Sequence, residues 1–92
     1  MEKPDLEKLP KNIEAEQALI GAILANNKAF EKISEFLLPK HFADPIHAKI
    51  FEVISNIINH ERSADVITLK NYFEQQGTLN DVGGMSYLIK LR

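Results

Sequence analysis

Residues 41–60 read HFADPIHAKIFEVISNIINH, and they carry the clearest helical pattern in the chain. Asp44 followed by Pro45 is a start signal: an aspartate to cap the first free N–H groups, then a proline where no N–H is needed. Ile46, Ile50, Val53 and Ile57 then recur at helical spacing. Phe51, Ile54 and Ile58 widen that stripe to roughly 160° of the helix surface, at about 100° per residue. Lys49, Glu52, Asn56 and Asn59 fall on the opposite side. A stripe that wide needs neighbours over much of its circumference, so this segment reads as the central helix of a bundle.

The flanking sequence supplies those neighbours. On the C-terminal side Asp65 is a second cap candidate, and Val66, Leu69 and Phe73 form the inner stripe of a helix that Gly77 ends. The β-branched DVIT at 65–68 has the look of a strand, but it is short and has no strand partner. TLNDVGG (78–84) is turn material. A short last helix follows from Gly84 or Met85, with Leu88 and Ile89 as its inward face and Tyr87 and Leu91 pointing away. On the N-terminal side Asn12 caps a first helix, Ile13–Ala25. Asparagines at 26 and 27 break it. A second helix spans Ala29–Leu37, and Pro39 ends it. The fold class expected is all-α: a compact orthogonal bundle of about five short helices. Residues 1–9, polar and carrying Pro4, read as a flexible arm ahead of a globular head at 10–92.

Composition narrows the function. Of the 92 residues, 45% are hydrophobic and 26% charged, which supports a folded core. With no cysteine, disulfides and cysteine-ligated metals are excluded. No apolar run approaches the roughly 20 residues of a membrane span, and a cytoplasmic location is the default expectation. The net charge is −2, and the lysines are interleaved with carboxylates. That is the opposite of the basic stripe expected for autonomous phosphate-backbone binding.

Catalytic signatures are missing. The GG at 83–84 has no lysine followed by serine or threonine, so it is no phosphate loop. His41, His47 and His60 have no metal-ligand spacing. His47 lies inside the apolar arc of the central helix, which predicts a buried, hydrogen-bonded histidine. Glu14 and Glu16 are two residues apart and so diverge by about 200° on a helix; they make no carboxylate dyad.

The first helix, IEAEQALIGAILA (13–25), is apolar over about 260° of its surface. Only Glu14, Gln17 and Gly21 form a polar or open strip. Gly21 costs up to about 1 kcal/mol relative to alanine inside a helix. That cost is explicable if something approaches the backbone there, either another helix of the same bundle or a partner protein. Glu16 falls within the large apolar face, where a carboxylate must find a hydrogen bond or a cation or reach out at the helix start; its own chain is the expected partner, and a partner-facing role is the alternative. Tyr87 and Leu91, pointing outward from the last helix, pack either on a continuation of the chain or on a partner.

Four segments, LPKNIEAEQALIGAIL, LLPKHFADPIHAKIFEVI, DVITLKNYFEQQGTL and VGGMSYLIKL, occur in the order and spacing that resemble the N-terminal domain of bacterial replicative DNA helicases, the DnaB family. The resemblance covers about residues 9–92. It implies a globular head cut off before a helical hairpin, a linker and a motor domain that binds ATP and Mg; no cofactor is expected in the head itself. It further implies a ring of six chains, with the N-terminal domains forming a collar that self-associates, docks DNA primase and surrounds single-stranded DNA. A helicase loader is a further candidate partner. His41 and Ala43 depart from the family pattern, which has an acidic and an aromatic residue there. By the matching motifs, Glu14 (the first glutamate of IEAEQ) and Tyr87 (the tyrosine of GG..YL) are the candidate primase-facing residues.

The reading is thus a non-catalytic oligomerisation and primase-docking domain. The alternative is a helical domain that binds single-stranded DNA on its own.

Overall fold

The computed structural model describes residues 12–92, and its regular elements are all helical. They are α1 (Ile13–Ala25), α2 (Ala29–Ile33), α3 (Pro45–Asn59), α4 (Val66–Gln76) and α5 (Gly84–Leu91), with single 3-10 turns at Pro39–His41 and Asn80–Val82. The expected arm at residues 1–9, and the Pro10–Lys11 lead-in, lie outside the described residues.

The helix starts follow the capping residues. Asn12 Oδ1 accepts from the Ala15 N–H at 3.0 Å. Asp44 Oδ1 accepts from the Ile46 N–H at 2.9 Å, with Pro45 at the first helical position. Asp65 and Thr68 cap α4 reciprocally: Asp65 Oδ1 accepts from the Thr68 N–H at 2.8 Å, and Thr68 Oγ1 accepts from the Asp65 N–H at 2.9 Å. That reciprocal cap is why the β-branched DVIT enters a helix rather than a strand.

Helices α3 and α4 end alike. In α3 the Arg62 N–H returns to the Ile57 carbonyl and the Glu61 N–H to the Ile58 carbonyl. In α4 the Thr78 N–H returns to the Phe73 carbonyl and the Gly77 N–H to the Glu74 carbonyl. Both are Schellman endings, which need a left-handed residue. Gly77 supplies it in α4 at φ 71°, whereas α3 uses Glu61 at φ 60°.

Two sequence expectations are corrected. Helix α2 stops at Ile33, not Leu37. The Ser34 hydroxyl bonds back to the Glu31 carbonyl at 3.2 Å, and the Glu35 and Phe36 N–H groups reach only three residues back, so the chain tightens into turns. In α5 the buried residues are Leu88 and Leu91, while Ile89 is 47% exposed. The helix contacts both α1 and α4, so the side carrying Leu91 is covered.

The core is one cluster to which α1–α5 all contribute. Ile20, Ile23, Ile50, Ile54, Leu69, Phe73 and Leu88 are fully buried, and each such side chain contributes roughly 1.5–3 kcal/mol of transfer free energy. Phe51 of α3 packs between Phe30 and Phe42, with ring centroids 5.7 and 5.1 Å away. Asn27 closes the bundle on one side. Its amide donates to the Ala64 carbonyl at 2.9 Å and to the Ile23 carbonyl at 2.8 Å, and its Oδ1 accepts from the Ala64 N–H at 2.7 Å. The break after α1 therefore also anchors the connection between α3 and α4.

Candidate functional site

Gln17 and Gly21 of the α1 strip face α5. Gln17 donates to the Tyr87 hydroxyl at 3.1 Å. One turn on, an ideal Cβ on Gly21 would collide with the Leu91 carbonyl oxygen. Gly21 is thus a contact within the bundle, which decides between the two readings of the strip. Both contacts join residues 70 apart in sequence, so α1 and α5 run parallel in constant register.

Gly83 makes the turn into α5 possible. Its φ is 100°, and an added Cβ would sit 2.7 Å from Tyr87 Cβ. The glycine therefore serves both a left-handed backbone and the approach of the tyrosine.

Behind Tyr87 lies a buried polar seam. Glu16 Oε1 is 2.8 Å from His47 Nδ1, and His47 Nε2 is 2.5 Å from the Tyr87 hydroxyl. The other Glu16 oxygen accepts from the Ala43 N–H at 2.7 Å, and Oε1 also takes the Asp44 N–H at 3.3 Å. His47 is fully buried, and the Glu16 side chain is 15% exposed. One assignment of protons satisfies every member. Gln17 donates to the Tyr87 oxygen, the Tyr87 O–H donates to His47 Nε2, and His47 Nδ1–H donates to the Glu16 carboxylate. The expectations for Glu16 and His47 are met by each other: the carboxylate inside an apolar face finds the imidazole inside an apolar arc.

A glutamate, a histidine and a tyrosine in series invite a catalytic reading. The geometry opposes it. Both imidazole nitrogens are taken by protein partners, and no part of the ring is open to a substrate, so a general base would have no proton to reach. Among the described residues no group of three or more His, Asp or Glu side chains is placed to hold a metal. No helix among them is long and apolar enough to cross a membrane. A cavity of about 340 Å³ between the end of α3 and α4 is lined by Ile57, Arg62, Thr68, Asn71, Tyr72, Glu74 and Gln75, and it shares no residue with the seam.

The two residues singled out from the sequence are in different situations. Glu14 is exposed and makes no hydrogen bond or ion pair among the described residues. Tyr87 is half-buried, and its hydroxyl points inward to His47 and Gln17, which corrects the expectation that it points away from the bundle. Glu14 lies on α1, one turn before the Gln17 that bonds to Tyr87. Sequence reasoning missed that Gln17, His47 and Glu16 stand directly behind Tyr87. The available signal was a pair of polar residues, each stranded in an apolar arc.

Known proteins share this arrangement of helices. The chain superposes on the N-terminal domain of DnaB helicase from Mycobacterium tuberculosis with a TM-score of 0.85, at 29% identity, over 89% of this chain and 59% of that one. It is 45% identical over 83 residues to the replicative DNA helicase DnaB of Rickettsia typhi, covering 90% of this chain and 17% of that protein. It is 34% identical over 82 residues to the replicative DNA helicase DnaB of Geobacillus stearothermophilus, covering 89% of this chain and 18% of that protein. The chain spans less than a fifth of the length of these relatives. The family model for the DnaB-like helicase N terminal domain, the non-catalytic part of such helicases, matches residues 8–92. The chain belongs to the DnaB-like helicase N-terminal domain family.

Proposed function

We propose that this domain is the head of the N-terminal collar of a ring-shaped replicative DNA helicase, where it contributes to self-association and docks DNA primase. The observation that carries the reading is the family match over residues 8–92, against relatives of which the match covers only 17–18%. The domain works by presenting surface. ATP and Mg belong to a motor domain outside these 92 residues, and unwinding of duplex DNA belongs to the whole ring. A helical hairpin and a linker separate head and motor. The site of action is the cytoplasm, and a helicase loader is a further partner.

Docking has a simple physical effect. A primase held on the collar meets the emerging single strand as an intramolecular encounter, at an effective concentration that reaches the millimolar range for a short flexible tether. The exposed Glu14 and the half-buried Tyr87, the latter bonded to Gln17 one turn after Glu14, support the docking face.

Titration of the chain with the helicase-binding domain of primase tests the proposal, with Glu14→Ala and Tyr87→Ala each expected to weaken binding. Wild-type affinity in both variants would remove the face. Tight, salt-sensitive binding of single-stranded DNA by the domain alone would favour the alternative of an autonomous DNA-binding module. The net charge of −2 speaks against that outcome.

A further inference from the structure

We propose that Glu16 and His47 are positioning residues for the docking face: they fix Tyr87 by its hydroxyl, so that a partner meets the tyrosine through its ring, held in one orientation. The proposal rests on the docking reading above and assigns roles to a fully buried histidine and a mostly buried glutamate.

The hydroxyl of Tyr87 is fully used inside the domain. It accepts from Gln17 Nε2 at 3.1 Å and lies 2.5 Å from His47 Nε2, to which it donates when His47 carries its proton on Nδ1. With the hydroxyl held inside, the part-buried Tyr87 would meet a partner through its ring. A free tyrosine side chain on a surface loses rotamer freedom when a partner orders it, and a prepositioned one does not. His47 can hold the hydroxyl only because its own orientation is set. Its Nδ1 meets Glu16 Oε1 at 2.8 Å, and Glu16 is held in turn by the Ala43 and Asp44 N–H groups. The relay therefore runs from the backbone that begins α3, through a carboxylate on α1, to an imidazole on α3 and a phenol on α5. Gly83 leaves room for the ring at the end of that path, since an added Cβ there would lie 3.0 Å from Tyr87 Cγ.

A double-mutant cycle on the 92-residue chain separates positioning from simple loss of stability. The variants are His47→Gln, Tyr87→Phe and the pair, titrated with the primase helicase-binding domain at a temperature where circular dichroism shows all of them folded. Each single variant is expected to weaken binding by about threefold or more, and the pair to be no weaker than Tyr87→Phe alone, because removing the hydroxyl already disconnects His47. Losses that multiply in the pair, or wild-type binding by His47→Gln, would overturn the proposal while leaving the docking reading intact. No binding by the wild-type chain would overturn both. Nitrogen-15 imidazole shifts give an independent readout. They should show His47 protonated at Nδ1 and unprotonated at Nε2, and the reverse tautomer would break the relay as drawn.

Discussion

At its first turn α3 is held through its own His47 by a carboxylate of α1 and a phenol of α5; two turns later it is held by aliphatic and aromatic side chains. The first region is directional. Each group there has a partner at hydrogen-bond distance, and rotating α3 by a small angle would break several bonds at once. The second region, where Ile54 and Ile57 of α3 share a core with Leu69 and Phe73 of α4, is held by area and shape. Hydrocarbon burial supplies more of the stability, because a net hydrogen bond contributes only about 0.5–1.5 kcal/mol after its exchange with water. The polar seam supplies orientation, and it lies directly behind the proposed docking face.

The largest effect is therefore expected in the dry region. Phe73→Ala should destabilise the domain by about 3–5 kcal/mol, and Ile50→Ala by about 2–5 kcal/mol, because both side chains are fully buried and each would leave a cavity. Equilibrium urea unfolding checks this. An unchanged midpoint in either variant would mean that the core is not packed around α3 as described.

Next comes the seam. Glu16→Ala strips the acceptor from His47 Nδ1–H and from the Ala43 N–H, for a loss of roughly 2–3 kcal/mol. Glu16→Gln keeps one acceptor oxygen and should lose less. Equal losses in the two variants would show that the amide oxygen does not replace the carboxylate, so that both oxygens or the charge are needed. At the same seam Gly21→Ala gains up to about 1 kcal/mol of helix propensity, but its Cβ meets the backbone of Leu91 rather than a movable side chain. Overpacking of that kind costs about 1–3 kcal/mol, so the net change should be destabilising. A more stable Gly21→Ala protein would mean that α1 and α5 do not touch there.

How much of this was readable beforehand follows from which residues had local reasons. Asn12, Asp44, Asp65 and Gly77 each bracket a helix by chemistry within a few residues, and the bounds of α1, α3 and α4 agree with those signals. The sequence pattern extends α2 too far because Phe30, Ile33 and Leu37 keep helical spacing even after Ser34 turns the chain. The face of α5 was misjudged for a different reason. A helix of 8 residues has two turns, too few for its apolar pattern to choose between Ile89 and Leu91. Only its placement between α1 and α4 decides. The same holds for the site. Glu16 and His47 were each recognisable as polar residues in need of a partner, but that they satisfy one another, with Tyr87 completing the set, is a property of three helices meeting.

A smaller effect distinguishes the two Schellman endings. Both need a left-handed residue, and α3 places Glu61 where α4 places Gly77. A non-glycine residue in that conformation costs roughly 1–2 kcal/mol, while glycine loses about 0.5–1 kcal/mol in added unfolded-chain freedom. Glu61→Gly should therefore stabilise the domain by about 0.5–1 kcal/mol, read as a rise in the thermal midpoint. Gly77→Ala should lower it. A fall with Glu61→Gly would mean that the Glu61 side chain makes a contribution beyond its backbone.

The smallest effect on stability is expected at Glu14, two residues from the seam carboxylate. It is exposed and has no partner among the described residues, so Glu14→Ala should leave the unfolding midpoint where it was. The contrast with Glu16→Ala is what gives the experiment its force. Two glutamates on one turn of α1 point about 200° apart, one into the bundle and one into solvent. If Glu14→Ala weakens primase binding at unchanged stability, the outward carboxylate belongs to the partner and the inward one to the fold. If it destabilises the domain as Glu16→Ala does, the seam extends past Gln17 to the mouth of the α1–α5 contact, and Glu14 acts inside the domain rather than on a partner.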